Sequence, residues 1–286
     1  MMNDRAAHVR RDSLTVEAGG VVFHVEVSGE GPALLLLHGT GASAHSWHAA
    51  AMRLAERFTV IVPDLPGHGR STRAARETLT LPGMARAIAA LVEQLGQRPE
   101  IVAGHSAGAA VLIRMALDGL LTPRLIISVN GALLPFQGPA GQFFAPLAKL
   151  LMLNPFAPRL FAWSAQDRAK VKRLLDDTGS TLDDSGIDSY AALFRNPAHV
   201  AGALAMMANW DLKQLERDLP RLKTRLVLIA ASNDRSIAPD YAFRVRDMVP
   251  GSRVELVRGL GHLAHEERPD EIAELILRIV ESETGH

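Results

Sequence analysis

A chain of 286 residues that is 48% hydrophobic can bury the core of one large α/β domain, or of a core domain carrying an insertion. Its 31 basic and 31 acidic residues give a formal net charge of +0, which argues against nucleic acid as a partner, because phosphate binding needs a basic surplus or stripe. The absence of cysteine excludes disulfides, thiolate chemistry and cysteine-ligated zinc or iron–sulfur sites.

The opening "MMNDRAAHVRRDS" is polar, without an apolar h-region, so no secretory signal is expected. "VVFHVEVSGEGPALLLLHG" reads as strand, turn, strand: Val21 to Val27 alternate, Gly29 to Pro32 turn, and Ala33 to Leu37 are uniformly apolar. A short uniformly apolar run fits a strand covered on both faces, as in a parallel sheet. "FTVIVPD", "EIVAG", "LIISVN", "RLVLIAAS" and "RVELVRG" repeat that pattern. Helical patterns fall at Trp47 to Ala55, Pro82 to Leu95, Ala107 to Asp118, Pro239 to Met248 and Pro269 to Val280. Such alternation predicts an α/β fold: a mostly parallel central sheet with helices on both faces.

The alternation stops between Asn130 and Leu226, where helical pieces rich in Leu, Phe, Met and Pro replace strands. The expected organisation is a core of residues 1–132 and 214–286, with a helical cap of residues 133–213 over the carboxyl ends of the strands. The most apolar long window, Gln142 to Trp163, is interrupted by Pro146, Lys149, Pro155, Pro158 and Arg159. A spanning helix carries few or no charges. No transmembrane segment is therefore expected, and the default location is cytoplasmic.

Strand becomes helix at Gly104-His105-Ser106-Ala107-Gly108. Small residues on either side allow a strained turn, a nucleophile elbow, that lifts the Ser106 hydroxyl above the sheet, and the following helix N-terminus favours developing negative charge. A serine nucleophile needs a base. His262, in "VRGLGHLAHEERPDEI", follows the last strand at the carboxyl edge, where active sites of open α/β folds sit. His265 is the near competitor, read as a hydrogen-bonded histidine near the final helix. The base needs an orienting carboxylate, and Asp234 follows the strand "RLVLIAAS". Asp240 is the alternative, but it sits in a first helical turn, where the dipole alone favours an acid. The catalytic triad expected is thus Ser106, Asp234 and His262, in that chain order. The backbone N–H groups of Ala107 and Thr40 are the expected oxyanion hole, with Gly39 and Gly41 letting the backbone approach a substrate.

"HGTG", "DLPGHGRS", "GHSAG", "SNDRSIAP" and "GHLAHEERP" together resemble the α/β-hydrolase superfamily along nearly the whole chain. Asn233 departs from the pattern, since many members carry Gly before the acid. Ser106 sets the chain apart from the dehalogenase and epoxide-hydrolase branches, which use Asp as nucleophile. Within the superfamily, "LHGTGASAHSW", "NGALLPFQGPAGQFFAPLAKLLMLNPFAPRLFAW" and "TGSTLDDSGIDSYAALFRNPAHVAGALAMMANWDL" resemble the BchO family, usually labelled magnesium chelatase accessory proteins of bacteriochlorophyll biosynthesis. That resemblance implies a place in tetrapyrrole metabolism and magnesium chelatase subunits as partners; it supplies no reaction.

The cap's apolar blocks, Phe136 to Trp163 and Leu204 to Trp210, suggest a cleft for a lipophilic small molecule. For any single residue, packing is the commoner role. Gly39, His105, Phe136, Phe144, Met207 and Trp210 are the substrate-contacting candidates, although His48, His68 and His105 also read as structural histidines beside motif glycines. The expected activity is ester or related acyl hydrolysis, with no metal or organic cofactor required. Two alternatives stand beside it: a non-catalytic porphyrin-binding or chelatase accessory role, and C–C bond hydrolysis or cofactor-free haloperoxidase-like chemistry on the same residues.

Overall fold

The computed structural model describes residues 11–72, 75–135, 151, 154 and 156–284. Eight strands form one sheet in the order β1-β2-β4-β3-β5-β6-β7-β8. They are β1 (Arg11–Ala18), β2 (Val21–Ser28), β3 (Ala33–Leu37), β4 (Thr59–Pro63), β5 (Ile101–His105), β6 (Leu125–Val129), β7 (Arg225–Ala231) and β8 (Arg253–Val257). β2 pairs antiparallel with β1 and β4, and every other pairing is parallel. β1 is an element that the polar reading of the N-terminus did not anticipate. It alternates through Leu14, Val16 and Ala18, then reverses through a two-residue Gly19-Gly20 turn onto Val21 and Val22. Because β1 is the sheet's edge, most of its side chains stay in solvent and the apolar signal is weak.

Along the central strands, successive residues point to opposite faces. Leu35 and Leu37 of β3, Val102 of β5, Ile126 of β6 and Leu226 and Leu228 of β7 join one core cluster. Leu34 and Leu36, Ile101 and Ala103, Ile127 and Val129, and Val227 and Ile229 join the other. Helices cover both faces. On the first lie α2 (Leu81–Gln94) and α3 (Ala107–Leu117); on the second lies α1 (His48–Leu54). Two clusters on two faces explain why these strands read as continuous hydrophobic runs.

Between β6 and β7 come α4 (Ala157–Ser164), α5 (Arg168–Asp176), α6 (Asp184–Phe194), α7 (Pro197–Ala208) and α8 (Lys213–Asp218). After β7 follow α9 (Asp240–Met248), then α10 (Ala264–Glu267) and α11 (Pro269–Thr284), which flank the end of the chain's last strand. Asp167, Asp183 and Asn196 cap α5, α6 and α7, each side chain accepting a first-turn N–H. Among the described residues no helix is long and apolar enough to cross a membrane.

The strand order determines where a site can form. From β3 the chain runs to β4 on one side, then returns past β3 to β5 on the other. At such a reversal the loops leaving the carboxyl ends diverge and open a crevice. The loop after β3 and the Ser106 turn after β5 border it.

Candidate active site

Ser106 is held at φ 51° and ψ −118°, between β5 and α3. A non-glycine residue at positive φ is costly and persists where its surroundings over-determine it. Here Ser106 N–H donates to Val129 O at 3.1 Å, and Ser106 O accepts from Ala109 N at 3.2 Å and Ala132 N at 3.1 Å. The flanking glycines are required by crowding. A Cβ at Gly104 would lie 2.5 Å from Ala109 N, and one at Gly108 would lie 2.4 Å from Leu37 O. Gly39 packs behind the serine, where a Cβ would fall 3.0 Å from Ser106 Cβ.

Asp234 and His262 occupy the loops after β7 and β8. His262 Nδ1–H donates to Asp234 Oδ2 at 2.8 Å, which leaves Nε2 as the ring's acceptor. Asp234 Oδ1 accepts from the N–H groups of Ser236 and Ile237, both at 2.8 Å. The carboxylate is fully buried and held from both oxygens. Asn233, which departs from the pattern of the resemblance, is not at positive φ: among the described residues only Ser106 and Asn130 are non-glycine exceptions. That turn needs no glycine.

The "HGTG" loop is braced from below. His38 Nε2 accepts from Leu65 N at 2.9 Å, so Nδ1–H donates to Gly39 O at 2.8 Å. Asp64 accepts from Ala44 N at 2.7 Å and from Arg70 N at 2.8 Å, tying the loop after β3 to the "PGHGR" turn. Burial raises the Asp64 carboxyl above its ordinary value, and these two N–H donors oppose that shift.

Ser106 and His262 face one cavity of about 710 Å³. Thr40 and Ala107 line it from the core, and Phe194, Met207 and Trp210 line it from the insertion. Its wall is mostly apolar, within the size range of small-molecule sites. Of the expected substrate contacts, Met207, Trp210 and His105 border the cavity. Phe136 and Phe144 lie outside the described residues. His105 is occupied otherwise: its Nε2–H donates to His262 O at 2.9 Å and its ring lies 4.6 Å from that of His262. Burial, with His265 and His262 nearby, holds His105 well below the usual histidine range, hence neutral. His265 is fully buried between Trp47 and His105, with ring centroids at 4.3 and 4.4 Å, and stacking takes the place of the expected hydrogen bond: neither ring nitrogen has a hydrogen-bond partner among the described residues. Burial pushes its pKa down to about 3, which fits a packed neutral imidazole.

The model of the alpha/beta hydrolase family matches residues 34–275. Over 248 residues the chain is 40% identical to the magnesium-chelatase 30 kDa subunit of Rhodobacter capsulatus, covering 87% of this chain and 86% of that protein. The chain belongs to the α/β-hydrolase family and to its BchO branch. It is 26% identical over 267 residues to the pimeloyl-[acyl-carrier protein] methyl ester esterase of Stenotrophomonas maltophilia, covering 90% of this chain and 96% of that one. Among solved structures, the epoxide hydrolase CorEH superposes with a TM-score of 0.77 at 21% identity, covering 95% of this chain and 98% of that chain. At that identity the likeness establishes the fold alone.

Three features of this BchO member escaped the sequence reading. Asn130, at φ 46°, donates from Nδ2 to Gly261 O at 3.1 Å and His262 O at 2.9 Å, and its Oδ1 accepts from Ala231 N at 2.8 Å. One amide thus joins the ends of β6 and β7 to the histidine loop. The segment after α5 is a second clamp. Thr178 O accepts from Arg235 N at 3.0 Å and His262 N at 3.4 Å, and Ser180 Oγ accepts from Leu263 N at 2.8 Å. A Cβ at Gly179 would fall 2.0 Å from Asn233 O, so this contact requires glycine. Third, His199 on α7 accepts from Gly69 N at 3.0 Å through Nδ1 and donates from Nε2 to Gly41 O at 3.1 Å. An asparagine ending an apolar strand was the available signal for Asn130. Nothing in the order of residues pairs Thr178 or His199 with the loops they hold.

Proposed function

We propose that this protein is a serine hydrolase acting on a lipophilic ester or related acyl substrate in tetrapyrrole metabolism. The observation that carries the reading is the meeting of a positive-φ serine with a carboxylate-bound histidine at one apolar cavity. In the proposed cycle His262 Nε2 takes the Ser106 hydroxyl proton as Oγ bonds to the acyl carbon. The backbone N–H groups of Ala107 and Thr40 stabilise the oxyanion, each worth ~10²–10³ in rate. His262 then protonates the departing alkoxide and the C–O bond breaks, leaving an acyl-serine. Water loses a proton to His262 and attacks that ester. Ser106 recovers the proton and the free acid leaves. Asp234 keeps the imidazole in the Nδ1–H tautomer and stabilises its cationic form. The α4–α8 insertion acts as a cap whose inner wall selects the acyl group or the alcohol. The tetrapyrrole assignment is supported by the 40% identity to a magnesium-chelatase subunit.

The name of that relative also favours a second reading, a non-catalytic accessory protein of the chelatase. Fluorophosphonate labelling separates the two. An activated serine is modified rapidly at Ser106, mapped by mass spectrometry, and Ser106→Ala abolishes labelling. Folded protein that resists the probe, together with equal rescue of a deletion strain by wild type and Ser106→Ala, rejects the hydrolase reading.

A further inference from the structure

A surface helix of a globular protein buries its apolar stripe and presents polar residues to water. α4 departs from that rule. Ala162 is buried and Phe161, although 41% exposed, borders the cavity, so this side of the helix is turned toward the protein. The opposite side carries Phe156, Leu160 and Trp163, which are 68%, 65% and 65% exposed. At 100° per residue those three positions fall within about 60° of arc, one continuous stripe. Arg159 flanks the stripe, and Arg195 closes the surface groove formed with Ala162, Trp163, Gln166 and Pro197. Of the carboxylates of the following helices, Asp184 and Asp188 pair with Arg168, Asp167 with Lys170 and Asp176 with Lys172. Neither Arg159 nor Arg195 has an ion pair among the described residues.

We propose that α4 is an interfacial membrane-docking element that lies on an anionic lipid surface. Its aromatic and leucine side chains enter the headgroup–acyl boundary, while Arg159 and Arg195 meet lipid phosphates. Large apolar side chains beside arginine, with no helix among the described residues long and apolar enough to span, fit a segment that lies on a bilayer. Continuity with the cavity favours a lipid over a protein partner. The helix that presents the exposed stripe also supplies Phe161 to the cavity wall. Docking through α4 therefore sets the cavity's flank against the bilayer, and a lipophilic molecule passes between the two without crossing bulk water. Docking itself is independent of the hydrolase reading; only the transfer route rests on it.

The test uses the full chain with phosphatidylcholine vesicles, with and without added phosphatidylglycerol, read by flotation and by quenching of Trp163 emission with brominated lipid. Binding to the anionic vesicles is expected to fall at least about tenfold in Leu160→Glu combined with Trp163→Glu. Arg159→Gln with Arg195→Gln is expected to erase the preference for anionic lipid, and added salt is expected to weaken it in the wild type. Turnover of a small water-soluble ester, or fluorophosphonate labelling, should match the wild type in all these variants. Absence of vesicle binding, or equal binding by wild type and the Leu160/Trp163 variant, overturns the proposal. So does a concentration-dependent dimer abolished by Leu160→Glu, which would make the stripe a contact between copies. Vesicle binding is measured without turnover, so its failure is distinct from failure of the hydrolase reading.

Discussion

On the core side of the cavity, the polar groups around the site are held in place. His262 O accepts from both His105 and Asn130, Asp234 from Ser236 and Ile237 besides His262, and the histidine loop is tied again through Thr178, Ser180 and Glu267. On the insertion side the wall is Phe161, Phe194, Leu204, Met207 and Trp210, and α4 turns Leu160 and Trp163 to solvent. The two walls follow different physics. Hydrogen bonds are directional and fix atoms to a fraction of an ångström, which proton transfer requires. Apolar contact is non-directional, so a wall built from it adapts to several shapes at modest cost. Proposed chemistry sits on the rigid wall, and proposed selectivity on the adaptable one.

The comparison breaks most severely at Ser106. Ser106→Ala or His262→Ala should lower turnover by about 10⁴–10⁶-fold, and the double variant should be little worse, because members of a catalytic unit are not additive. Steady-state kinetics on one ester and on its replacements reads this directly. Asp234→Asn should cost ~10⁴ in kcat with the fold retained, since an amide no longer enforces the Nδ1–H tautomer of His262.

Next is Asn130, which does not line the cavity but holds His262 from behind, and so tests the clamp itself. Asn130→Ala should lower kcat by roughly 10–10²-fold through displacement of the histidine loop. It should also cost ~1–3 kcal/mol of stability, since His262 O and Gly261 O lose donors in a buried setting. Asn130→Gly accommodates the positive φ but lacks the amide. If it restores kcat, the side-chain bonds are not what positions His262.

On the apolar wall the expected changes are smaller and of another kind. Met207→Ala should shift preference among acyl chains by about 10–200-fold or less, with kcat for a small ester unchanged. A uniform loss across substrates would mean that this wall, too, positions the catalytic groups.

The smallest effect concerns pH. Glu266 is buried and accepts from Tyr190 OH at 2.8 Å. Burial raises its pKa from 4.5 to about 8, and the Tyr190 hydrogen bond opposes that shift. The unfolded carboxyl ionises near 4.5 while the folded one keeps its proton, so this group's stabilising share is complete at low pH and is lost as pH rises from about 4.5 to about 8. Glu266→Gln should therefore flatten the fall in Tm across that window, with turnover unaffected. A fall of unchanged slope would place the titration elsewhere.

The fold was legible from β2 onward because β2 alternates and β3 to β7, buried on both faces, become continuous apolar runs. β1 was not, because an edge strand buries little and half of its alternating residues are polar. Ser106, Asp234 and His262 stand out in the sequence as candidates, since each sits in its own local motif at the end of an apolar strand. Sequence alone thus determined the α/β alternation, the turn that carries the serine, and the residue types available for acid–base chemistry, because short-range sterics and hydrophobic period write these locally. Only the tertiary structure decided that Asn130 reaches His262 across 132 positions, that Thr178 and His199 tie the insertion to the loops of the site, and that α4 shows its apolar stripe to solvent. Those are contacts between distant segments, set by how the elements stack in three dimensions, and no local pattern encodes which surface another element will leave uncovered.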